Sequence, residues 1–337
     1  MTALPGPPPA TWNALALQAR NVFATHTWAS TWWDEYGAGA VPHVLYDDPV
    51  RPRIVLPLQA TGRLLRQVRW IGHGPADLLG PVCAPEDLGL AAPLLRKALA
   101  AGDLRTDVVL LQDGPVAAPW WQELETRPVS TEGCPVVRFT PGQDWPQWLA
   151  EKSKNFRYQV TKKRAVLERG HEVSFRLATA ETFDDDLAAL FTLHDARWQG
   201  ESPLTEPRQR RFTSAFAAAA LEQDWLRLWT MSLDGRCVAA LLGFRFGPDF
   251  YCYQFGRDPA LERESVGFVL LTHVVRDAIE SGAAEFRFLR GDEDYKHRFA
   301  THDAGIATVA VPLGVRGRVA VAMAARRRSR PDVVPAS

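Results

Sequence analysis

Residues 291–296, Gly-Asp-Glu-Asp-Tyr-Lys, place three carboxylates, a phenol and an ammonium within five positions of a glycine. Side chains of these types move protons and hold charge. They follow the apolar run Phe286, Phe288 and Leu289, which reads as a short strand. Loops that leave the C-terminal end of a buried strand are where mixed α/β proteins put their chemistry. The competing reading is a strand, a solvated turn and the start of a helix. A second candidate is His194, which shares one helical face with Leu187, Leu190, Phe191 and Trp198 and has Arg197 beside it. A histidine there is either a hydrogen-bonded core residue or a base that is neutral near pH 7.

Other chemistries find no support. The sequence holds no Gly-x-Ser-x-Gly elbow, Walker-type loop or His-Glu-x-x-His helix, and His297 and His302 lack helical ligand spacing, so no metal is expected. Cys83, Cys134, Cys237 and Cys252 lie far apart and read as small apolar residues of a reducing compartment. Formal net charge is zero, so any electrostatic recognition must be local. The N-terminus lacks the pattern of a signal peptide and no apolar run is long enough to span a bilayer, so a cytoplasmic location is expected.

The 337 residues suggest two domains. Residues 1–10 read as a disordered, proline-rich lead-in. A tryptophan-rich helical region follows from Trp12 to Gly37, then strands around 42–46, 53–58 and 68–71, a helix at 91–100 closed by Gly102, and a strand at 108–111. A similar order returns later. Strands at 226–233 and 236–246 flank Asp234-Gly235, a two-residue hairpin signal, and a strand at 250–255 precedes a helix carrying Phe268, Leu271, Val275 and Ile279. The halves read as a degenerate duplication, joined by two helices. The helix 153–169 carries Lys154, Arg157, Lys162, Lys163, Arg164 and Arg169 around an apolar stripe, a solvated face or an anion-binding one. In the helix 183–198, Thr182 and Asp185 match a capping box, and Asp184, Asp185 and Asp186 suit the positive end of the helix dipole. The run Arg326-Arg-Arg-Ser-Arg330 reads as a disordered basic tail, with a solvated terminus as the default and acidic lipid or nucleic acid as the alternatives.

Four segments carry a family resemblance: the basic helix before Gly170, Leu193-His-Asp-Ala-Arg-Trp198, Ser265-Val-Gly-Phe-Val-Leu270, and Phe288-Leu-Arg-Gly-Asp-Glu-Asp-Tyr-Lys296. In order and spacing they resemble the GNAT acyltransferase superfamily, in particular its CelD-like or BioF2-like acetyltransferase branch, which is associated with cellulose and exopolysaccharide production. A tandem of two GNAT-like domains is also similar to the Fem peptidyltransferases, which take amino acids from charged tRNA. The resemblance implies an α/β fold of two GNAT-like domains with mixed sheets, the first degenerate. The expected boundaries are 11–142 and 143–315, followed by a basic tail at 316–337.

The resemblance also implies roles. Acetyl-CoA or another acyl-CoA would lie between splayed strands at 250–255 and 285–289, against Tyr253 and Phe255. Its pyrophosphate would sit at the helix start formed by Arg263, Ser265, Val266, Gly267 and Phe268, where backbone N–H groups without helical acceptors point at an anion. Tyr295 would protonate the leaving thiolate, Lys296 would stabilise the oxyanion, and Asp292, Glu293 or His194 would accept the proton of the attacking group. Arg157, Arg164, Arg197, Trp198, Arg290 and Glu293 would bind the substrate. The expected activity is direct N- or O-acylation of a sugar or sugar-linked metabolite, without nucleic acid. The alternatives are a Fem-type aminoacyl-tRNA-dependent ligase and a non-catalytic binding subunit of a polysaccharide synthase.

Overall fold

The computed structural model describes residues 4–328, and the chain divides into two compact units, residues 1–132 with 304–337, and residues 133–303. The first unit opens with α1 (Pro9–Gln18), α2 (His26–Tyr36), β1 (Val41–Tyr46), β2 (Ile54–Thr61), β3 (Gln67–Trp70), β4 (Val82–Cys83), α3 (Ala91–Ala101), β5 (Val108–Pro115) and β6 (Pro128–Glu132). The second unit begins with β7 (Pro135–Arg138), α4 (Trp145–Ala150), α5 (Lys154–Gly170), β8 (Val173–Leu177), α6 (Phe183–Trp198) and α7 (Pro207–Glu222). It continues with β9 (Leu226–Leu233), β10 (Arg236–Phe246), β11 (Asp249–Arg257), α8 (Val266–Glu280), β12 (Glu285–Arg287), α9 (Asp294–His297) and β13 (His302–Asp303). The chain then returns to the first unit as β14 (Ile306–Pro312) and α10 (Gly314–Arg328).

Each unit is built on one mixed sheet. The first has the order β1-β2-β3-β5-β14-β6, with β4 also paired to β2, and the second β13-β7-β12-β11-β10-β9-β8. Each holds one parallel pair among the described residues, β3 with β5 across α3 and β11 with β12 across α8. A parallel pair needs a crossover, and in both units a helix supplies it. This repeated βαβ step is the structural form of the duplication.

The second sheet owes its solidity to β10, whose Val238–Leu242 stretch is fully buried because helices cover both faces. The β9–β10 hairpin closes as its sequence requires, with Asp234 at φ 51° and Gly235 at φ 80°. Apolar on nearly every side, α8 packs Val266, Leu270, Val274 and Ala278 into the core beneath β9, β10 and β11. By contrast α5 buries only Phe156 and Leu167, and its cations stay near the surface.

Several expectations need correction. Residues 4–8 are not a loose lead-in: Gly6 lies against Val44 and Trp12, and α1 starts at Pro9, while Met1–Ala3 lie outside the described residues. The tail expected from 316 begins as helix α10, whereas Ser329–Ser337 lie outside the described residues. The unit boundary falls at 132 and not 142, since Pro135–Arg138 pairs with β12. Residues 306–312, expected in the second domain, pair with β5 and β6 in the first sheet. Thr182 makes no capping bond to the backbone of α6; its hydroxyl donates to Asp186, which is buried and paired with Arg176. That aspartate therefore serves an ion pair as well as the helix dipole.

Candidate active site

β11 and β12 run side by side from Asp249 and Glu285 to Tyr251 and Arg287 and then part. Past Arg287 the chain follows β7, with the Phe288 N–H donating to Pro135 O at 3.0 Å, while β11 continues to Arg257 paired with β10 only. On the other edge of β11 the register slips: Leu242 faces Gln254 and Gly243 faces Cys252, leaving Tyr253 as an extra residue. Such a bulge sharpens the local twist and helps the strand diverge from its parallel neighbour.

The amino end of α8 opens into this gap. Ser265 stands at φ 59° and its hydroxyl caps no helical amide; it accepts instead from Lys163 Nζ at 2.7 Å. The amides of Val266, Gly267 and Phe268 belong to the first turn and have no acceptor one turn earlier, which with the helix dipole makes them donors for an anion. A Cβ on Gly267 would stand 3.0 Å from Arg257 Cδ and 3.1 Å from Phe255 Cε1, so glycine is what lets β11 come this close to the helix start.

Around this turn lies a cavity of about 240 Å³ lined by Lys163, Arg197, Arg257 and Arg298, by Phe255 and the first residues of α8, and by Tyr295. Its one carboxylate is Glu262, 3.2 Å from Arg257. Burial, reinforced by Arg298, pushes the Lys163 ammonium down. Burial also pushes Arg197 down, against the pull of Tyr295 and Glu293, yet a guanidinium stays charged. Four cations with one carboxylate give the cavity wall an excess of positive charge.

Tyr295 lies edge-on to Phe288, with ring centres 6.3 Å apart. Burial, helped by Cys252 and Glu293 and opposed by Arg197, pushes its phenol well above the ordinary value, so it remains a proton donor across the physiological range. Lys296 plays a different part from the one expected. It is buried, and Nζ donates to Arg290 O at 2.7 Å and Gly291 O at 3.4 Å and pairs with Glu293 Oε2 at 2.8 Å. It does not line the cavity. Gly291, at φ 117°, makes this fold of the loop possible, since a Cβ there would meet Glu293 Oε2 at 2.3 Å and Lys296 Nζ at 2.8 Å. Lys296 thus pins the loop that presents Tyr295, and Arg197 is the cation beside the phenol.

Two other candidates also sit apart from the cavity. His194 is 2% exposed, with Nε2 3.3 Å from Ser202 Oγ and no partner at Nδ1, and burial lowers its pKa to about 4. Asp292 is exposed and 2.6 Å from His297 Nε2. Asp292, His297 and Asp303 bring ligand-type atoms within 4.8 Å of one another, but all three are exposed and the Cys134 N–H already occupies Asp303 Oδ1.

Of the proposed donor-site residues, Ser265, Val266, Gly267, Phe268 and Phe255 line the cavity, whereas Arg263 and Tyr253 do not. The Tyr253 ring packs on Phe244 at 5.7 Å. Of the proposed substrate-binding residues only Arg197 lines it. Arg157 donates to the Ala150 and Lys152 carbonyls, Arg164 pairs with Glu168, and Trp198 lies under the Arg197 guanidinium at 4.8 Å. Glu293 and Arg290 belong to the loop held by Lys296. Sequence reasoning passed over Arg257 and Arg298, and named Lys163 only as one cation of six on the basic helix.

Residues 154–297 match the family model described as Acetyltransferase (GNAT) domain. No curated protein matches the chain by sequence. Among solved structures, the chain is similar to FemX with a TM-score of 0.69 at 10% identity, covering 95% of this chain and 99% of that one. It is similar to L-PGS from Bacillus licheniformis with a TM-score of 0.59 at 12% identity, covering 98% of this chain and 100% of that one. A conserved protein of unknown function from Bacteroides thetaiotaomicron gives a TM-score of 0.61 at 11% identity, covering 93% of this chain and 100% of that one.

Proposed function

For a chain with the GNAT-superfamily, Fem-related fold and an acyltransferase domain, we propose direct acyl transfer from acyl-CoA to an amine or hydroxyl of a sugar or sugar-linked metabolite. The observation that carries this reading is the cationic cavity at the first turn of α8, with Tyr295 in its wall. The CoA pyrophosphate would sit on the amides of Val266–Phe268 with Lys163, Arg257 and Arg298 around it. The acceptor attacks the thioester carbonyl, forming a C–N or C–O bond and an oxyanion beside Arg197. Collapse breaks the C–S bond. The thiolate takes the Tyr295 proton, and the acceptor's own proton passes to solvent water. A covalent acyl-enzyme is not part of this scheme. Exopolysaccharide or cellulose synthesis in the cytoplasm is the setting that the sequence resemblance suggests.

Likeness to FemX along nearly the whole chain favours one second reading, a Fem-type transfer in which the donor is an aminoacyl-tRNA ester and the same cations meet RNA phosphate. Calorimetric titration of acetyl-CoA into the native chain and Gly267→Asp separates the two. Micromolar binding lost in the folded variant supports the CoA reading, because the new carboxylate would repel the pyrophosphate. Absent binding to any acyl-CoA, with salt-sensitive binding to charged tRNA, would establish the second.

A further inference from the structure

In the first unit, α10 has two apolar sides, and the sheet covers only one. Gly317 is buried, and Ala320, Val321 and Ala324 line a cavity of about 620 Å³ above β3, β5, β14 and β6. On the opposite side Val315, Val319 and Met323 recur every four residues and are 80%, 52% and 54% exposed. At about 100° per residue they form a single outward stripe. Arg316 and Arg318 are exposed, and helical phase puts them on either flank of it. From Ala304 to Pro331 the sequence holds no carboxylate, while Arg316, Arg318, Arg326, Arg327, Arg328 and Arg330 all fall within it. Because the whole chain is neutral, this is a local excess of positive charge.

We propose that the outward face of α10 docks on an anionic lipid surface, its Val315–Val319–Met323 stripe entering the headgroup layer and its flanking arginines meeting lipid phosphate. An apolar stripe edged by cations is the pattern of a helix lying in a membrane interface, and no helix among the described residues is long and apolar enough to cross a membrane. Nucleic acid would use the arginines but gain nothing from three exposed apolar side chains. A second copy of this chain would gain from the stripe but would bring its own arginines against these.

The test is co-sedimentation of the full chain with vesicles of phosphatidylcholine alone or mixed with phosphatidylglycerol, at low and high salt. Expected are binding only to the mixed vesicles and release at high salt. Val319→Asp with Met323→Asp should abolish it, and Arg316→Ser with Arg318→Ser should weaken it by more than about tenfold. Val50→Asp, at a residue 82% exposed elsewhere in the same unit, should leave it unchanged. The proposal is overturned if the native chain stays in solution with mixed vesicles. It is equally overturned if the two aspartates have no effect, if the stripe instead sets a monomer–dimer equilibrium seen by light scattering, or if the arginines serve tRNA binding that the aspartates leave intact.

Discussion

Replacing Lys163 with Met keeps the length and the apolar stem of the side chain and removes only its charge. Nζ stands 2.7 Å from Ser265 Oγ and 5.1 Å from the centre of the Phe268 ring, so an anion on the first turn of α8 would lie about 5 Å away. Unit charges at that distance interact by about 3 kcal/mol at an effective dielectric near 20. Lys163 is only partly buried, and salt and water screen it, so roughly 1.5 to 2 kcal/mol is expected to survive. That weakens acetyl-CoA binding about ten- to thirtyfold. Lys162→Met is the matched control, because that ammonium sits over the Tyr158 ring at 5.2 Å and does not line the cavity. Titration calorimetry on both folded variants reads the difference. Equal weakening by the two changes, or none by Lys163→Met, would refute the assignment of the anion to this turn.

Three further outcomes follow from the same geometry. Tyr295→Phe should lower kcat by about a hundredfold or more while leaving acetyl-CoA binding intact, and the native rate should show no tyrosine limb up to about pH 10. Lys296→Met should cost about 2 to 3 kcal/mol of stability, measured as a lower denaturant midpoint, because it strands the Arg290 and Gly291 carbonyls, while the half-exposed Glu293 turns to water. His194 titrates near 6.5 when unfolded and near 4 in the fold, so its stabilising contribution is complete above pH 6.5 and is lost as pH falls toward 4. The loss approaches about 3 kcal/mol, and His194→Gln should flatten the melting temperature over that window.

What the sequence made legible were features whose cause is local. Asp234-Gly235 specifies a hairpin by itself, and the apolar period of α8 with a glycine in its first turn marks both the helix and the end proposed to meet an anion. β14 was not legible, because its pairing with β5 joins residues nearly two hundred positions apart, and nothing in the segment 306–312 says which sheet it will enter. The same limit applies at the site. Six cations on α5 read alike, and only the placement of Ser265 singles out Lys163. Lys296 looked like a free cation because the residue order shows its charge but not that three acceptors from its own loop surround it.

The two units dress the same βαβ step with different charge. In both, a helix joins the parallel pair, but in the first unit a 3-10 turn, Pro85–Leu90, runs straight into α3 and its Leu88 carbonyl already takes the Ala91 amide. That turn carries Glu86 and Asp87, the latter 3.6 Å from Arg53, and no basic residue. In the second, the corresponding turn before α8 is faced by Lys163, Arg257 and Arg298, and the neighbouring strands separate to leave space. A helix start alone supplies a weak and partly screened attraction for anions. Surrounding cations of opposite sign to a ligand strengthen that attraction, and carboxylates of the same sign oppose it. Under the proposed function, charge placed on loops and on an adjoining helix, more than the shared backbone, is what would let the second copy hold a phosphate-bearing donor.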